Sequence, residues 1–158
     1  MSLRFLTLFA LTVLVGLPAH AGSRSVHRLG LYGSIGGDPS PSLMGFNVGY
    51  NLTDYFQIHA GYGATVTVLL NGSTVGGGGR FFIPDWSLSP SIGATYSQFK
   101  GDLLGLIQTD AVGVVTLQVG LDWQTGYGLY LGIGGSKLVS PSSSSSGMIP
   151  YLQLGWFF

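Results

Sequence analysis

An all-β chain, folded as an eight-stranded antiparallel up-and-down transmembrane β-barrel behind a cleavable signal peptide, is what three features of the sequence predict. The first is a period of two, the signature of a strand with unlike faces, that recurs in eight segments. The second is composition: charged residues make up 8% of the chain, Gly numbers 27 and Cys is absent. Ordinary soluble domains carry about 25% charged residues. The third is the end of the chain, which stops on an apolar strand with no polar tail after Phe158.

The leader is justified first. Met1-Ser2-Leu3-Arg4 is a short basic start, Phe5 to Pro18 is an apolar run, and Ala19-His20-Ala21 is a small-residue cleavage site. Residues 1–21 are therefore expected to be a signal peptide, and residues 22–158 one barrel domain. No Cys flanks the cleavage site, so no lipid anchor is expected. No apolar run after the leader approaches the roughly 18 residues of a spanning helix.

Eight strands are expected over Val26–Ser34, Leu43–Leu52, Tyr55–Leu70, Ser73–Ile83, Leu88–Phe99, Val112–Trp123, Tyr127–Lys137 and Met148–Phe158. Each reaches the roughly 9–11 residues that cross a bilayer at a tilt. In the second, Met44, Phe46, Val48 and Tyr50 oppose Gly45, Asn47, Gly49 and Asn51. In the fifth, Leu88, Pro90, Ile92, Ala94 and Tyr96 oppose Ser89, Ser91, Gly93, Thr95 and Ser97. In the sixth, Val115, Leu117, Val119 and Leu121 oppose Thr116, Gln118, Gly120 and Asp122. The fourth is the weakest, because Gly76 to Gly79 has no alternation.

Two turns set registers. Asn71-Gly72 is the favoured pair for a two-residue type I′ hairpin. It would pair Leu70 with Ser73 and hence Gly63 with Arg80, the glycine leaving room for the guanidinium. Gln124-Thr125-Gly126 reads as a three-residue loop, which would pair Asp122 with Gly128. The short connections Thr53-Asp54, Pro84 to Ser87 and Gln124 to Gly126 alternate with longer ones at Ile35–Ser42, Lys100–Ala111 and Leu138–Gly147. Membrane barrels show this asymmetry, short turns on one side and longer loops on the other.

Alternation alone does not say which face is outside. A soluble ligand-binding barrel would turn its apolar face inward and its polar face to water. The polar face here is Gly, Ser, Thr, Asn, Gln and Tyr, almost without Lys or Glu, which is a poor water-facing surface. Eight strands enclose a lumen that side chains can fill. The apolar face is therefore expected to meet lipid, and the interior to hold a hydrogen-bonded network of Arg28, Asn47, His59, Arg80, Gln118, Asp122, Tyr130 and Gln153. Tyr50, Phe56, Trp86, Trp123, Tyr127, Trp156 and Phe158 gather near the short turns, as expected of an interfacial aromatic belt.

The terminal strand carries a resemblance. Counting back in twos from Phe158 gives Trp156, Leu154, Leu152, Pro150 and Met148, all apolar. The chain thereby resembles the small eight-stranded OmpA/OmpX-type barrels of Gram-negative outer membranes, whose last strand ends in Phe with apolar residues at alternate positions. The resemblance implies an outer-membrane location, outer-membrane lipid as surroundings, and recognition by the barrel-assembly machinery through Leu154, Trp156 and Phe158.

Catalytic chemistry is weakly supported. His59, Ser89, Ser91, Ser97 and Asp122 share polar faces but lie on different strands. Barrel-fold lipid A deacylases place a Ser two residues from the His, where this chain has Gly61. Gly76 to Gly79 is not followed by a helix, as a phosphate loop requires. No cofactor or metal is implied, since no carboxylate cluster or Cys/His spacing occurs. Net charge is zero, which excludes nucleic acid as an expected partner. The apolar cluster Leu103, Leu104, Leu106 and Ile107 lies in an outer connection and is a candidate contact for an extracellular partner. The favoured reading is that the neighbouring strands run on above the membrane there and these residues pack on each other. The favoured function is a non-catalytic structural or surface-contact barrel; a narrow pore and a lipid-modifying enzyme are the alternatives.

Overall fold

The computed structural model describes residues 23–37, 42–66, 70–83, 88–103, 107–139 and 147–158. A short helix α1 (Ser23–Val26) precedes eight strands. These are β1 (Leu29–Gly36), β2 (Ser42–Asn51), β3 (Phe56–Val66), β4 (Leu70–Phe82), β5 (Leu88–Leu103), β6 (Ile107–Gln124), β7 (Leu129–Val139) and β8 (Ile149–Phe157). Each strand pairs antiparallel with its neighbour in sequence, and β8 pairs with β1 through seven residues from Gly30↔Phe157 to Gly36↔Tyr151. The sheet is closed, so its backbone groups are satisfied within the ladder and no edge runs the height of the wall.

The two faces are sorted as the period of two requires. Ile92, Leu117, Val119, Leu152 and Leu154 project outward and are exposed, while Ser91, Thr95, Gln118, Tyr151 and Gln153 between them project inward and are buried. A chain in water would not leave such a continuous apolar skin uncovered. The exposed cations among the described residues, Arg28 at one end and Lys100 and Lys137 toward the other, leave the band between free of charge.

Three sequence expectations are corrected. Asn71 and Gly72 lie within β4 rather than in a turn: Val66 pairs with Asn71, Gly63 with Thr74 and Gln57 with Arg80. The glycine opposite Arg80 is Gly93 on β5, not Gly63. Asp122 pairs with Gly132, and the turn spans Thr125 to Gly128. Gly128 N–H donates to Thr125 O at 3.0 Å, Leu129 N–H to Thr125 Oγ1 at 3.0 Å, and Gly128 takes the left-handed φ of 94° that an L side chain resists. Both register changes are even, so every side chain keeps its face.

The third correction concerns the bounds of the outer connection, where the favoured expectation of strands that run on is borne out. β5 runs to Leu103 and β6 starts at Ile107, the two residues pairing directly, so most of the expected loop Lys100–Ala111 is hairpin. Leu104 and Leu106 lie outside the described residues, as do Trp86, the Ser142–Ser146 run and the expected signal peptide. Trp123, expected in the aromatic belt, is buried, whereas Tyr50, Tyr127, Trp156 and Phe158 are exposed.

Candidate functional site

The lumen is the one place where polar side chains converge from all round the wall, because every strand points alternate residues there. Arg80 enters from β4. The absence of a side chain at Gly93 leaves it room: a Cβ there would lie 3.4 Å from the Arg80 Cα and 3.2 Å from Gln118 Oε1. Its Nη1 is 2.9 Å from Asp122 Oδ1 on β6, 2.8 Å from the Tyr130 hydroxyl on β7 and 2.8 Å from Gln153 Oε1 on β8. Nη2 donates to Gln118 Oε1 at 3.3 Å. Both charged side chains of the ion pair are fully buried (0% exposed). Such a pair holds only if its remaining hydrogen-bonding capacity is also met. Here Asp122 also accepts from the Tyr130 hydroxyl through Oδ1 and from the Ser91 hydroxyl through Oδ2.

The network spreads from that centre. Gln118 Nε2 donates to Thr95 Oγ1 at 3.0 Å, and His59 Nε2 meets the same oxygen at 2.9 Å. Asn47 Nδ2 donates to Ser34 Oγ at 3.0 Å, and Ser34 is the cross-strand neighbour of Gln153. The structure thus places Asn47, His59, Arg80, Gln118, Asp122, Tyr130 and Gln153 in the lumen. Arg28 is different: it is exposed and donates Nε to Ser25 O at 3.0 Å. The reason is local. The chain coils into α1 before Leu29, so the strand period does not extend back to Arg28.

Sequence reasoning missed two groups. Arg24, on α1, reaches into the lumen mouth in the place expected of Arg28. Tyr32, Tyr130 and Phe157 form an aromatic cluster inside the barrel, with ring centroids 5.3 Å apart for Tyr32–Tyr130 and for Tyr130–Phe157. Gly30, Gly49 and Gly155 surround it, and a Cβ at Gly155 would run into the Tyr32 Cα at 2.5 Å. The signal was the mixed face of the last strand: Phe157, Gln153 and Tyr151 share the register of Gly155, the reverse of Phe158.

Chemically the lumen is a set of donors and acceptors bonded largely to one another, with Asn47 Oδ1, Gln57 Oε1, His59 Nδ1, Thr74 Oγ1 and Thr116 Oγ1 buried without a partner among the described residues. His59 is bonded to Thr95, and the hydroxyl on Asp122 that comes from a serine is that of Ser91, so Ser, His and Asp do not line up in series. Among the described residues no group of His, Cys, Asp or Glu is arranged to hold a metal. A hollow of about 240 Å³ is lined by Val48, Tyr50, Ile58 and Ala60, exposed residues of the outer wall, and by the buried Gly49 and His59. Leu154, Trp156 and Phe158 all face outward. Leu103 and Ile107 pair across the hairpin tip.

No protein-family model and no curated protein matches the sequence. Solved structures do. The N-terminal β-barrel domain of Pseudomonas aeruginosa OprF is 14% identical, with 83% of this chain and 96% of that one covered and a TM-score of 0.64. A transmembrane β-barrel designed de novo is 18% identical, over 84% of this chain and 96% of that one, at a TM-score of 0.51. Neisserial surface protein A is 12% identical, over 80% and 91%, at a TM-score of 0.50. At these identities the likeness is one of fold. Closed by eight antiparallel strands, apolar outside and polar within, the chain has the fold of the small eight-stranded outer-membrane β-barrel proteins.

Proposed function

We propose that this is an integral protein of a Gram-negative outer membrane with a structural or surface-contact role and no catalytic activity. The observation that carries this reading is a filled lumen. Asn47, Arg80, Asp122, Ser136, Gln153 and Phe157, contributed by five strands, have no surface that water can touch (0% exposed). A continuous water column would wet them. That argues against the pore reading, and the His59–Thr95 bond gives no support to the enzyme reading.

Among the described residues, what is left to meet the outside is the hairpin. β5 has 16 residues and β6 has 18, against 8 in β1 and 9 in β8. Among the described residues β6 pairs with β7 from Val115 onward, so β6 extends past that neighbour, while β5 stays paired with β4 up to Leu70↔Leu103. With both termini and the tight turns on the periplasmic side, this ribbon faces the cell exterior, and its tip at Leu103 and Ile107 is the contact site for an extracellular partner. Outer-membrane lipid covers the apolar band, and Leu154, Trp156 and Phe158 address the chain to the barrel-assembly machinery. The test is to replace residues 101–109 by a tight turn in cells that display the protein. Heat-modifiable gel migration should persist while binding to host or bacterial surfaces is lost. Discrete conductance of the intact protein in planar bilayers, or altered lipid A on overexpression, would reject the reading.

A further inference from the structure

The residues just ahead of β1 belong to no ladder, yet they are held in place. α1 brings Arg24 into the mouth of the lumen at the end where the termini lie. Its Nη1 donates to Ser89 Oγ at 3.0 Å, its Nη2 to Asp122 O at 3.4 Å, and the guanidinium carbon stands 4.2 Å from the centroid of the Phe82 ring. Only 6% of Arg24 is exposed. The rest of the segment is tied to the surrounding turns. Ser25 N–H donates to Asp54 Oδ1 at 2.8 Å, and His27 Nε2 meets Gly126 O at 2.9 Å. His27 O accepts from Asn51 Nδ2 at 3.0 Å and from Gln124 Nε2 at 3.3 Å.

We propose that Ser23–His27 is a tethered stopper, which closes the periplasmic mouth of the lumen by seating the Arg24 guanidinium and can leave it without breaking the barrel. Two observations separate the stopper from the wall. Its ties from Arg24 to His27 each run through a side chain, whereas the strand ladder begins with Asn51 N–H on Arg28 O at 2.8 Å and Leu29 N–H on Phe158 O at 3.3 Å. The Asp122 carboxylate that could hold Arg24 most firmly is already engaged by Arg80, Tyr130 and Ser91, so Arg24 takes the backbone carbonyl instead. A buried guanidinium with neutral partners is a reversible seat, since an arginine regains full hydration on leaving. Behind it the Arg80–Asp122 layer is a second, fixed barrier. Opening the stopper therefore exposes a shallow polar vestibule at Ser89, not a through-channel.

The chain has no Cys, which makes the test clean. Ser89→Cys reports the vestibule, and Thr116→Cys, buried in β6 on the far side of Asp122, reports the lumen beyond the fixed layer. Each is labelled with a membrane-impermeant charged thiol reagent in refolded full-length protein. The comparison is between the native segment, Arg24→Ala, and a deletion of residues 23–27. Labelling at Ser89→Cys should rise on the order of tenfold when the seat is lost, with Thr116→Cys protected and heat-modifiable migration retained. Equal rates at Ser89→Cys in all three proteins would overturn the proposal. So would parallel labelling at Thr116→Cys or loss of heat-modifiable migration, because α1 would then be part of what holds the wall together.

Discussion

At the termini end of the barrel, long side chains meet across the axis: Arg80, Gln57, Tyr32, Tyr130 and Phe157 are all buried there, and α1 sits over them. Toward the other end the inward positions beside Tyr151 are short, Ser34, Thr74, Ser97, Thr116 and Ser136, and β6 runs past the described part of β7, while β5 stays paired with β4 up to Leu70↔Leu103. One end spends its side chains on each other. The other leaves the β7 side of the β6 extension without a partner among the described residues. Closure and polar satisfaction fix the first end, because lipid offers no substitute partner for a buried donor. β6 beyond Val115 has one partner strand among the described residues, so the proposed contact surface can vary there with little effect on the closed wall below.

Breaking the first end should cost most. Asp122→Ala leaves the Arg80 guanidinium buried without its carboxylate, a change worth about 3–5 kcal/mol. The urea midpoint of the heat-modifiable form in lipid vesicles should fall accordingly. Replacing both partners by apolar residues of similar size, as in Arg80→Met with Asp122→Leu, should recover most of the loss, because no orphaned charge remains. A double variant as unstable as the single one would show that Asp122 matters for its other bonds, to Tyr130 and Ser91.

The outer wall ranks next. Val119→Arg places a cation in the uncharged band and should cost about 2–4 kcal/mol. The same vesicle titration measures it, and an unchanged midpoint would mean that Val119 is not lipid-facing. Gly155→Ala probes the seam between wall and lumen. The added carbon would meet Leu31 O and the Tyr32 side chain, so β8 and β1 must part slightly or Tyr32 must move. Overpacking of this kind costs about 1–3 kcal/mol, and the aromatic cluster should report it as a change in near-ultraviolet circular dichroism.

The same contrast explains what could be read from the sequence. Faces were legible because a period of two survives any tertiary detail; Ile92 is outward and Gln118 inward whatever their partners. Registers were not, because a pattern of two is blind to even displacements. The Asn71-Gly72 signal favoured a turn that would have set Arg80 beside Gly63, while the ladder sets Thr74 there, six residues earlier on β4. The chosen register brings Arg80 to Asp122. A stranded guanidinium outweighs a favourable turn pair, and that trade involves residues 42 positions apart, which no local window contains. α1 was illegible for another reason: four residues carry no period, so Arg24 and Arg28 could not be told apart until the chain was seen to coil.

The smallest effect is expected at the ribbon tip. Beyond Val115, β6 has β5 as its only partner among the described residues. The wall below is already closed from β1 to β8 without it. Replacing residues 101–109 by a tight turn removes hairpin and, at the rim, the β4 pairs Gly72↔Gly101, Asn71↔Asp102 and Leu70↔Leu103, and leaves the rest of the wall closed. The urea midpoint should then stay within about 0.5 kcal/mol of the parent. If it fell by as much as the Asp122→Ala midpoint, the ribbon would belong to the same cooperative unit as the lumen, and the separation between a fixed end and a variable end would fail.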